Sequence, residues 1–306
     1  MPRGFSPVLG LIVSLSVSTC AAQNTSPAGI PVQMIVTVEP KHGNNTPALN
    51  REDVMVYQER DRAQVTGWEP FQGPNAALEL FILIDDSLST SVGPQLNDVR
   101  AFINAQPATS SIGVAYMRNG TVQVLQNLTN DHAATASRLR IPLGVGATSS
   151  PYDSLVTLLK QWPQSPHRRA VIMISNGIEQ FGPETTSNPI VNSAIEAAQR
   201  AGVPVFTIYS SGEGHLSHSF WRNNWAQTYL SQLADETGGE SYNFINQNVS
   251  FASYFQDIAK KLDHQYRLTF LAKPKDKSGI QRVRITTEVP GVDLIAADSV
   301  YVPAGT

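Results

Sequence analysis

The chain has almost no cysteine, little charge and no apolar run long enough to cross a membrane. Cys20 is the only cysteine among 306 residues, so disulfides are not expected to stabilise the fold. Charged residues make up 15% of the chain and the formal net charge is −3. No basic stripe is present, so the composition gives no case for a nucleic-acid partner. Hydrophobic residues make up 41%, which is ordinary for a globular protein with its own core.

The first 22 residues have the pattern of a secretory signal peptide. Arg3 precedes the apolar run Pro7–Val17, and small residues follow before a polar stretch. A run of this length is too short to span a membrane and is typical of a segment removed on export. We therefore expect cleavage after Ala22 and a secreted, periplasmic or cell-envelope protein. The alternative is lipidation of Cys20, because residues 17–20 resemble a bacterial lipobox, and only then would a membrane hold the chain.

Residues 78–263 alternate between strand-like and helix-like segments. Strands are predicted at 81–84, 112–117, 122–125, 169–176 and 203–209, and helices at 96–103, 154–162, 191–199, 229–234 and 255–262. This alternation predicts an α/β domain with a doubly wound, mostly parallel sheet. A hairpin across Asn119 and Gly120 would supply an antiparallel edge.

Both ends of the chain carry β patterns. Strands are predicted at 32–39, 53–59, 63–68, 266–272, 281–288 and 299–302. Two or three short strands seldom form a stable sheet of their own. We therefore predict one small β-sandwich module built from residues 31–72 and 265–303, with the α/β domain of residues 78–263 inserted between them.

Side chains with hard oxygen atoms stand where predicted elements meet loops. They are Asp85, Ser87, Ser89, Thr148, Ser149 and Asn176. Ligands of open α/β sheets bind past the carboxyl ends of the strands, and such oxygens are the ligands that Mg²⁺ or Mn²⁺ prefers. The alternative is that Asp85 and the serines only hold loop and helix amides, as in an Asx turn or an N-cap.

In order and spacing these residues resemble the metal-ion-dependent adhesion site of the von Willebrand factor type A family. That family has Asp-x-Ser-x-Ser in a first loop, a Thr before a helix in a second, and an Asp before a Gly in a third. The resemblance covers roughly residues 78–263. It implies a Rossmann-like fold and a bound Mg²⁺ or Mn²⁺ that is completed by an Asp or Glu carboxylate of a partner protein. With β segments on both flanks, the chain most resembles the exported proteins of this family found in acidobacteria.

The sequence departs from the family pattern twice. Matching without gaps from Tyr152 places Ser149 at the family's Thr, whereas the actual threonine is Thr148; both are candidates, and we prefer Thr148. Asn176 replaces the third-loop Asp, which keeps an oxygen ligand but removes a negative charge. A charge pair about 4 Å apart is worth up to ~4 kcal/mol at an effective dielectric constant near 20. We therefore expect weak metal binding, with a metal-free loop cluster as the alternative.

Three functions compete on these grounds. The favoured one is an exported, non-enzymatic protein that binds another protein in adhesion or assembly. The second is a structural envelope protein with an inert site. The third is a subtilisin-like serine hydrolase, because Asp85, His132 and Ser149 echo its Asp, His, Ser order. That reading lacks a histidine oriented by an acid, without which no serine is activated.

The loop at residues 210–224 adds weaker signals. His215 and His218 have no third ligand in view, so a metal site there is disfavoured. Trp221 and Trp225 are four residues apart, the spacing of one helix face, and are expected to pack.

Overall fold

A computed structural model describes residues 1, 29–43, 46–183, 185, 187–213, 219–243 and 249–305. The predicted signal peptide beyond Met1, with Cys20, and the pair His215 and His218 lie outside these residues. Within the described ranges no helix is long and apolar enough to cross a membrane.

The described chain contains two β-sheets and six α-helices. The strands are β1 (Ile30–Pro40), β2 (Val54–Gln58), β3 (Asp61–Pro70), β4 (Leu78–Asp85), β5 (Ser110–Arg118), β6 (Thr121–Thr129), β7 (Arg168–Ser175), β8 (Val205–Tyr209), β9 (Ser241–Tyr242), β10 (Gln265–Ala272), β11 (Gly279–Thr287), β12 (Val292–Ala296) and β13 (Ser299–Val302). The helices are α1 (Gln95–Ala105), α2 (His132–Ser137), α3 (Pro151–Gln161), α4 (Pro189–Ala201), α5 (Phe220–Thr237) and α6 (Ala252–Asp263).

The central part of the chain forms the predicted α/β layer. Its sheet has the order β6-β5-β4-β7-β8-β9. Every neighbouring pair is parallel except β5 and β6. These two form the expected antiparallel edge, turning through Asn119 and Gly120, which both have positive φ, as hairpin turns of this kind require.

The apolar run in β4 is explained by burial on both faces of this sheet. Ile82 and Ile84 pack with Val99 of α1 and with residues of α6. Leu83 faces the opposite side, where it packs with Leu155 of α3 and with α4 and α5. Successive strand residues point to opposite faces, so a strand covered by helices on both sides needs an unbroken apolar sequence.

The strands from the two chain ends form one antiparallel sheet in the order β12-β1-β10-β3-β2-β11-β13. In it β10 lies between β1 and β3. These strands form a single sheet and not the predicted sandwich of two facing sheets. Instead the single sheet curls, so that β11 also contacts β12, and one face encloses a core that includes Val36, Val56, Leu268 and Phe270. Strand twist accounts for the curl. The division into segments 31–72, 78–263 and 265–303 stays a prediction.

Sheet register places the candidate residues at one edge. β4 and β7 are parallel neighbours with Ile84 opposite Ile174, so Asp85 and Ser175 leave the sheet side by side. Helix α3 begins at Pro151, immediately after the hydroxyl-rich turn. Three separate segments therefore meet at the carboxyl edge of β4 and β7.

Candidate functional site

The Asp85 carboxylate lies at the centre of a buried hydrogen-bond network. Its Oδ1 accepts bonds from the backbone N–H and the hydroxyl of Ser87, at 2.9 and 2.7 Å. Its Oδ2 accepts bonds from the hydroxyls of Ser149 and Ser175, at 2.9 and 2.8 Å. Asp85 is only 1% exposed. Burial raises the pKa of Asp85, while the bonds from Ser87, Ser175 and Ser149 favour its charged form.

Asn176 closes this network through its carboxamide. The Ile178 backbone N–H, which can only donate, lies 2.8 Å from Asn176 Oδ1, and this contact fixes the orientation of the amide. The Ser149 hydroxyl, which shares its one proton between this oxygen and Asp85, lies 3.1 Å from Oδ1. Nδ2 therefore faces Ser87 and donates to its Oγ at 2.9 Å. The amide N–H thus supplies a hydrogen-bond donor inside the predicted ligand set.

The second loop presents Ser149, and not the preferred Thr148, to Asp85. Thr148 pairs with the β5–β6 turn, since its N–H donates to Asn119 Oδ1 at 3.0 Å and its carbonyl accepts from the Asn119 N–H at 3.1 Å. Ser149 is the next residue along, where its hydroxyl reaches Asp85. The preference for Thr148 is corrected for this reason.

Ser89 lies in the outer part of the first loop. Its hydroxyl is 2.9 Å from Ser91 Oγ and accepts a bond from the Ser91 N–H at 3.3 Å, which caps the short helical turn that follows. It also donates to Glu213 Oε1 at 3.4 Å. Of the predicted ligands, Ser87, Ser149 and Asn176 join Asp85 in one network, and Ser89 faces a different carboxylate. Their metal-ligand roles stay predictions.

A fourth loop, after β8, covers the network. Leu88 and Gly212 form a β-bridge, and the Ser89 N–H donates to the Ser211 carbonyl at 2.9 Å. A Cβ atom at Gly212 would lie 2.6 Å from Asn176 Nδ2, so a residue with a side chain could not come this close. This cover leaves Asn176 4% exposed.

Asp86, adjacent to Asp85, holds the second loop against the first. Its carboxylate receives two bonds from the Arg140 guanidinium, at 2.6 and 2.8 Å. It also accepts the Leu143 N–H at 3.1 Å. The Arg140 guanidinium stacks over the Tyr116 ring, 4.1 Å from its centroid. Asp86 thus anchors a loop instead of adding charge to the Asp85 network.

Sequence reasoning also missed Ser175 and Glu179. Ser175 is the last residue of β7, and its position at a strand end could have indicated it. Glu179 is 6% exposed and accepts bonds from the Ser150 hydroxyl at 3.1 Å and the Phe181 N–H at 3.0 Å. Burial raises the pKa of Glu179 to about 7, with repulsion from Asp153 and Asp85 adding to the effect. A carboxyl group other than that of Asp85, with its pKa raised to about 7, therefore lies beside the site.

His132 lies near the amino ends of the parallel strands, whereas Asp85 lies at their carboxyl ends. Its Nε2 is 2.9 Å from the carbonyl of Ser110, the first residue of β5. Asp85 ends the parallel neighbour β4, and Leu78 at the start of β4 pairs with Ser110. Seven strand residues separate the two ends, which is about 23 Å. His132 cannot serve Ser149 as a base, so the geometry contradicts the subtilisin-like alternative.

The donor set fits Mg²⁺ or Mn²⁺ in type and falls short in charge. The oxygens of Asp85, Ser87, Ser149 and Asn176 are hard ligands of the kind these ions take. Within the described ranges, however, no group of three or more His, Cys, Asp or Glu side chains could hold a metal. A bound ion would also have to displace the Asn176 N–H from Ser87. These residues could hold a divalent cation only weakly.

Among known proteins, only solved structures are similar to this chain. No family model and no curated protein matches the chain. An aerotolerance-related membrane protein from Bacteroides fragilis is 14% identical, with a TM-score of 0.44 over 61% of this chain and 99% of its own. The von Willebrand factor domain of the type V pilus tip protein Mfa5 from Porphyromonas gingivalis is 12% identical, with a TM-score of 0.44 over 61% and 95%. Proximal thread matrix protein 1 from the mussel byssus, with a zinc-occupied adhesion-site motif, is 13% identical, with a TM-score of 0.44 over 65% and 48%.

The solved neighbours include von Willebrand factor type A domains. This is the family that the motifs of the sequence resemble. At these identities and TM-scores the neighbours carry no argument, and the proposed function rests on the chain's own residues.

Proposed function

We propose that this chain is an exported, non-enzymatic protein that binds another protein, in adhesion or assembly, through the loops at the carboxyl edge of β4, β7 and β8. The proposal includes a secreted or cell-envelope location, reached by cleavage after Ala22 or by lipidation of Cys20. Kinship with the exported acidobacterial proteins of the family belongs to the same proposal.

The observation that carries the proposal is where the exposed apolar side chains lie. Apart from Met1, the large hydrophobic side chains that the described chain exposes are Ile141, Leu143, Val145, Phe181, Phe220 and Trp221. We call these six residues the apolar rim. Three belong to the second loop, one follows the third loop, and two begin α5 after the fourth loop. All six therefore lie in or directly after the loops that also present the polar network. Exposed large apolar side chains beside polar groups are characteristic of interaction sites.

The aromatic members of the rim suit a binding surface. Phe220 is 76% and Trp221 69% exposed, and their rings lie edge to face with centroids 5.8 Å apart. Phe220 also borders a cavity of about 400 Å³ between α1, α5 and α6. Large aromatic side chains next to a cavity are frequent anchors of protein interfaces. Packing was expected for Trp221, and its exposure is better explained by contact with a partner.

A weakly held Mg²⁺ or Mn²⁺ is the finer part of the proposal. Asp85, Ser87, Ser149 and the Asn176 carbonyl would hold it, and a partner's Asp or Glu carboxylate would supply the charge that Asn176 lacks. The second candidate is a structural envelope protein with an inert site. The Asn176 N–H that donates to the Ser87 hydroxyl favours an inert site, but it does not explain the apolar rim.

The test compares protein capture by rim variants. The full chain, a Val145→Asp/Phe181→Asp variant and a Gln64→Asp/Gln72→Asp control are immobilised and exposed to cell-envelope extract of the source organism, with Mg²⁺ or with EDTA. Gln64 lies in β3 of the other sheet, Gln72 follows that strand, and both are exposed, so the control adds the same two charges as the rim variant. We expect the rim variant to lose a bound protein that the control retains. Equal capture by all three chains would contradict a role for this edge, and loss in EDTA would support the cation.

A further inference from the structure

A cavity of about 220 Å³ lies between the two sheets, at the amino ends of the parallel strands. Its walls come from β1, from β10 and from the residue after β3 in the curled sheet, and from the start of β7 and the end of α4 in the α/β layer. The basic side chains of His167, Arg168, Arg169 and Arg267 line it, and none of the described residues that line it is acidic. The Asp85 network lies at the opposite end of β7, so this cavity is separate from the site described above.

Arg168 is the residue that points to a ligand. Only 9% of it is exposed, and its Nη1 donates to the Leu262 carbonyl and to Gln265 Oε1, the latter at 2.9 Å. Its Nε is buried and has no acceptor among the described residues, and the same holds for Nε2 of Gln265. Burial lowers the pKa of Arg168 to about 10. Buried N–H groups without an acceptor are rare and costly, so an acceptor from outside the chain would stabilise this arrangement.

The positive charge around the cavity is only partly balanced by the protein. None of the described ion pairs includes Arg168 or Arg169, and Asp263 and Glu79 act on them from beyond ion-pair distance. Each of the two guanidiniums bonds to a carbonyl in the last turn of a helix, α6 or α4. A helix C-terminus carries only about half a negative charge. Because buried charges are normally paired, the remaining charge favours a bound anion.

The buried ring of Phe71 brings a second guanidinium to the same place. Phe71 lines the cavity, and the Cζ atoms of Arg168 and Arg267 each lie 5.2 Å from its centroid. Arg267 also pairs with Glu69 at 3.6 Å, but the Glu69 side chain is 56% exposed. Exposed pairs of this kind contribute little, so a ligand can take the place of Glu69. The planar fork of guanidinium N–H groups matches the oxygens of phosphate and sulfate.

We propose that this cavity binds a phosphate or sulfate group, either as the free ion or as an ester of a small molecule. Arg168 and Arg267 would donate to its oxygens, and Arg169 would add positive charge. The site is independent of the proposed protein binding at the carboxyl edge, because the two lie at opposite ends of β7.

The test is isothermal titration calorimetry on the full-length protein. Inorganic phosphate, sulfate and glycerol 3-phosphate are titrated at constant ionic strength in sodium chloride. We expect saturable binding of one ion per chain, weakened at least about tenfold in Arg267→Gln, which loses charged donors. Binding of inorganic phosphate without the ester would identify a free ion, and equal or tighter binding of glycerol 3-phosphate would identify an ester; both support the site.

Arg284→Gln is the matched control. Arg284 is an exposed arginine of β11 whose Cζ lies 4.6 Å from the centroid of the Tyr57 ring, so its variant also removes a guanidinium stacked on an aromatic ring. It does not line the cavity and should bind phosphate as wild type does. Equal loss in Arg284→Gln and Arg267→Gln would mean that general surface charge attracts the ion, and would overturn the proposal.

Arg168→Gln should abolish binding, but it also removes the bonds to Leu262 and Gln265 that hold α6 and β10. The double variant Arg169→Gln/Arg267→Gln leaves those bonds in place and should lose binding while remaining folded. Phosphate and sulfate stabilise many proteins by exclusion from their surface, so in urea unfolding the measure is the extra stabilisation of wild type over the double variant. No saturable binding to wild type, or equal affinity in wild type and the double variant, would overturn the proposal.

Discussion

A single amide at position 176 sets the charge and the hydrogen bonding of the candidate metal site. Asn176→Asp exchanges the N–H that donates to Ser87 for a second carboxylate beside Asp85. Without metal the variant should be less stable than wild type, because it loses a donor and gains like-charge repulsion. With Mg²⁺ or Mn²⁺ it should recover about 2.7 kcal/mol at a hundredfold excess over Kd.

Isothermal titration calorimetry and urea unfolding, each with the cation and with EDTA, check this prediction. Asp85→Ala is the matched control, since it removes the certain anion and should abolish whatever cation binding the wild type has. An unchanged affinity in Asn176→Asp would show that residue 176 does not contact the ion, and the tuning argument would fail.

Glu179 should make stability depend on pH near neutrality. Burial raises the pKa of Glu179 from 4.5 to about 7. Between these values the folded protein holds a proton that the unfolded chain has released, so the free energy of unfolding falls as pH rises through this window. Glu179→Gln should abolish this fall and be more stable than wild type at pH 8, by up to about 3 kcal/mol.

Urea unfolding at pH 5 and pH 8 measures the effect. Glu196→Gln on α4 removes the same charge from an exposed position and should leave the pH profile unchanged. A Glu179→Gln profile parallel to that of wild type would contradict the raised pKa.

At the scale of elements, the pair of Asp86 and Arg140 fastens the second loop to the end of β4. Arg140→Met would leave the carboxylate of Asp86, which is 0% exposed, with the Leu143 backbone N–H as its remaining donor among the described hydrogen bonds. Stripping a buried carboxylate of its cation is costly, and we expect a loss of about 2–3 kcal/mol in urea unfolding. Arg138→Met, on the exposed surface of the same segment, should change stability by less than about 0.5 kcal/mol. Equal effects of the two variants would show that the ion pair does not hold the loop.

Local pattern predicted the elements that carry the site. Apolar runs ending in polar residues identified β4 and β7, because burial on both faces leaves an unbroken apolar sequence. The preference for Thr148 rested on residue type alone. The backbone pairing of Thr148 with Asn119 leaves Ser149 to reach Asp85, and a sequence does not display pairing between distant segments. The covering approach of Gly212 to Asn176 was missed for the same reason.

Helix α5 shows the limit of pattern in a polar segment. Its start at Phe220 lies well before the predicted start at residue 229, because the first turns bury little apolar surface and show weak periodicity. Trp225 stacks on Tyr229 with centroids 6.1 Å apart, as its spacing predicted. Trp221 has the same spacing but is exposed. The spacing alone does not indicate which face of the helix meets the core.

At the scale of the whole molecule, the two sheets are joined by a buried lysine. Lys261 of α6 is 7% exposed and contacts Glu39 of β1, with Glu240 at 3.5 Å and Asp257 at 3.6 Å. Glu39 belongs to the sheet built from both chain ends, whereas Glu240 and Asp257 belong to the α/β layer. The Gln199 amide adds a second link, donating to Asp298 at 2.9 Å. Stability of the curled sheet should therefore depend on a cation supplied by the α/β layer.

Lys261→Met tests this coupling, because it keeps the aliphatic stem and leaves three carboxylates without their shared cation. Their mutual repulsion and lost bonds should cost about 2–3 kcal/mol, a value reduced by the partial exposure of the acids. Hydrogen exchange should quicken more at the amides of β1 than at those of β4, since β1 loses its tie to α6. Lys260→Met, at an exposed position of the same helix, should leave both strands as protected as in wild type. Uniformly faster exchange in β1 and β4 would mean that Lys261 stabilises the fold as one unit, and that the curled sheet has no separate dependence on this lysine.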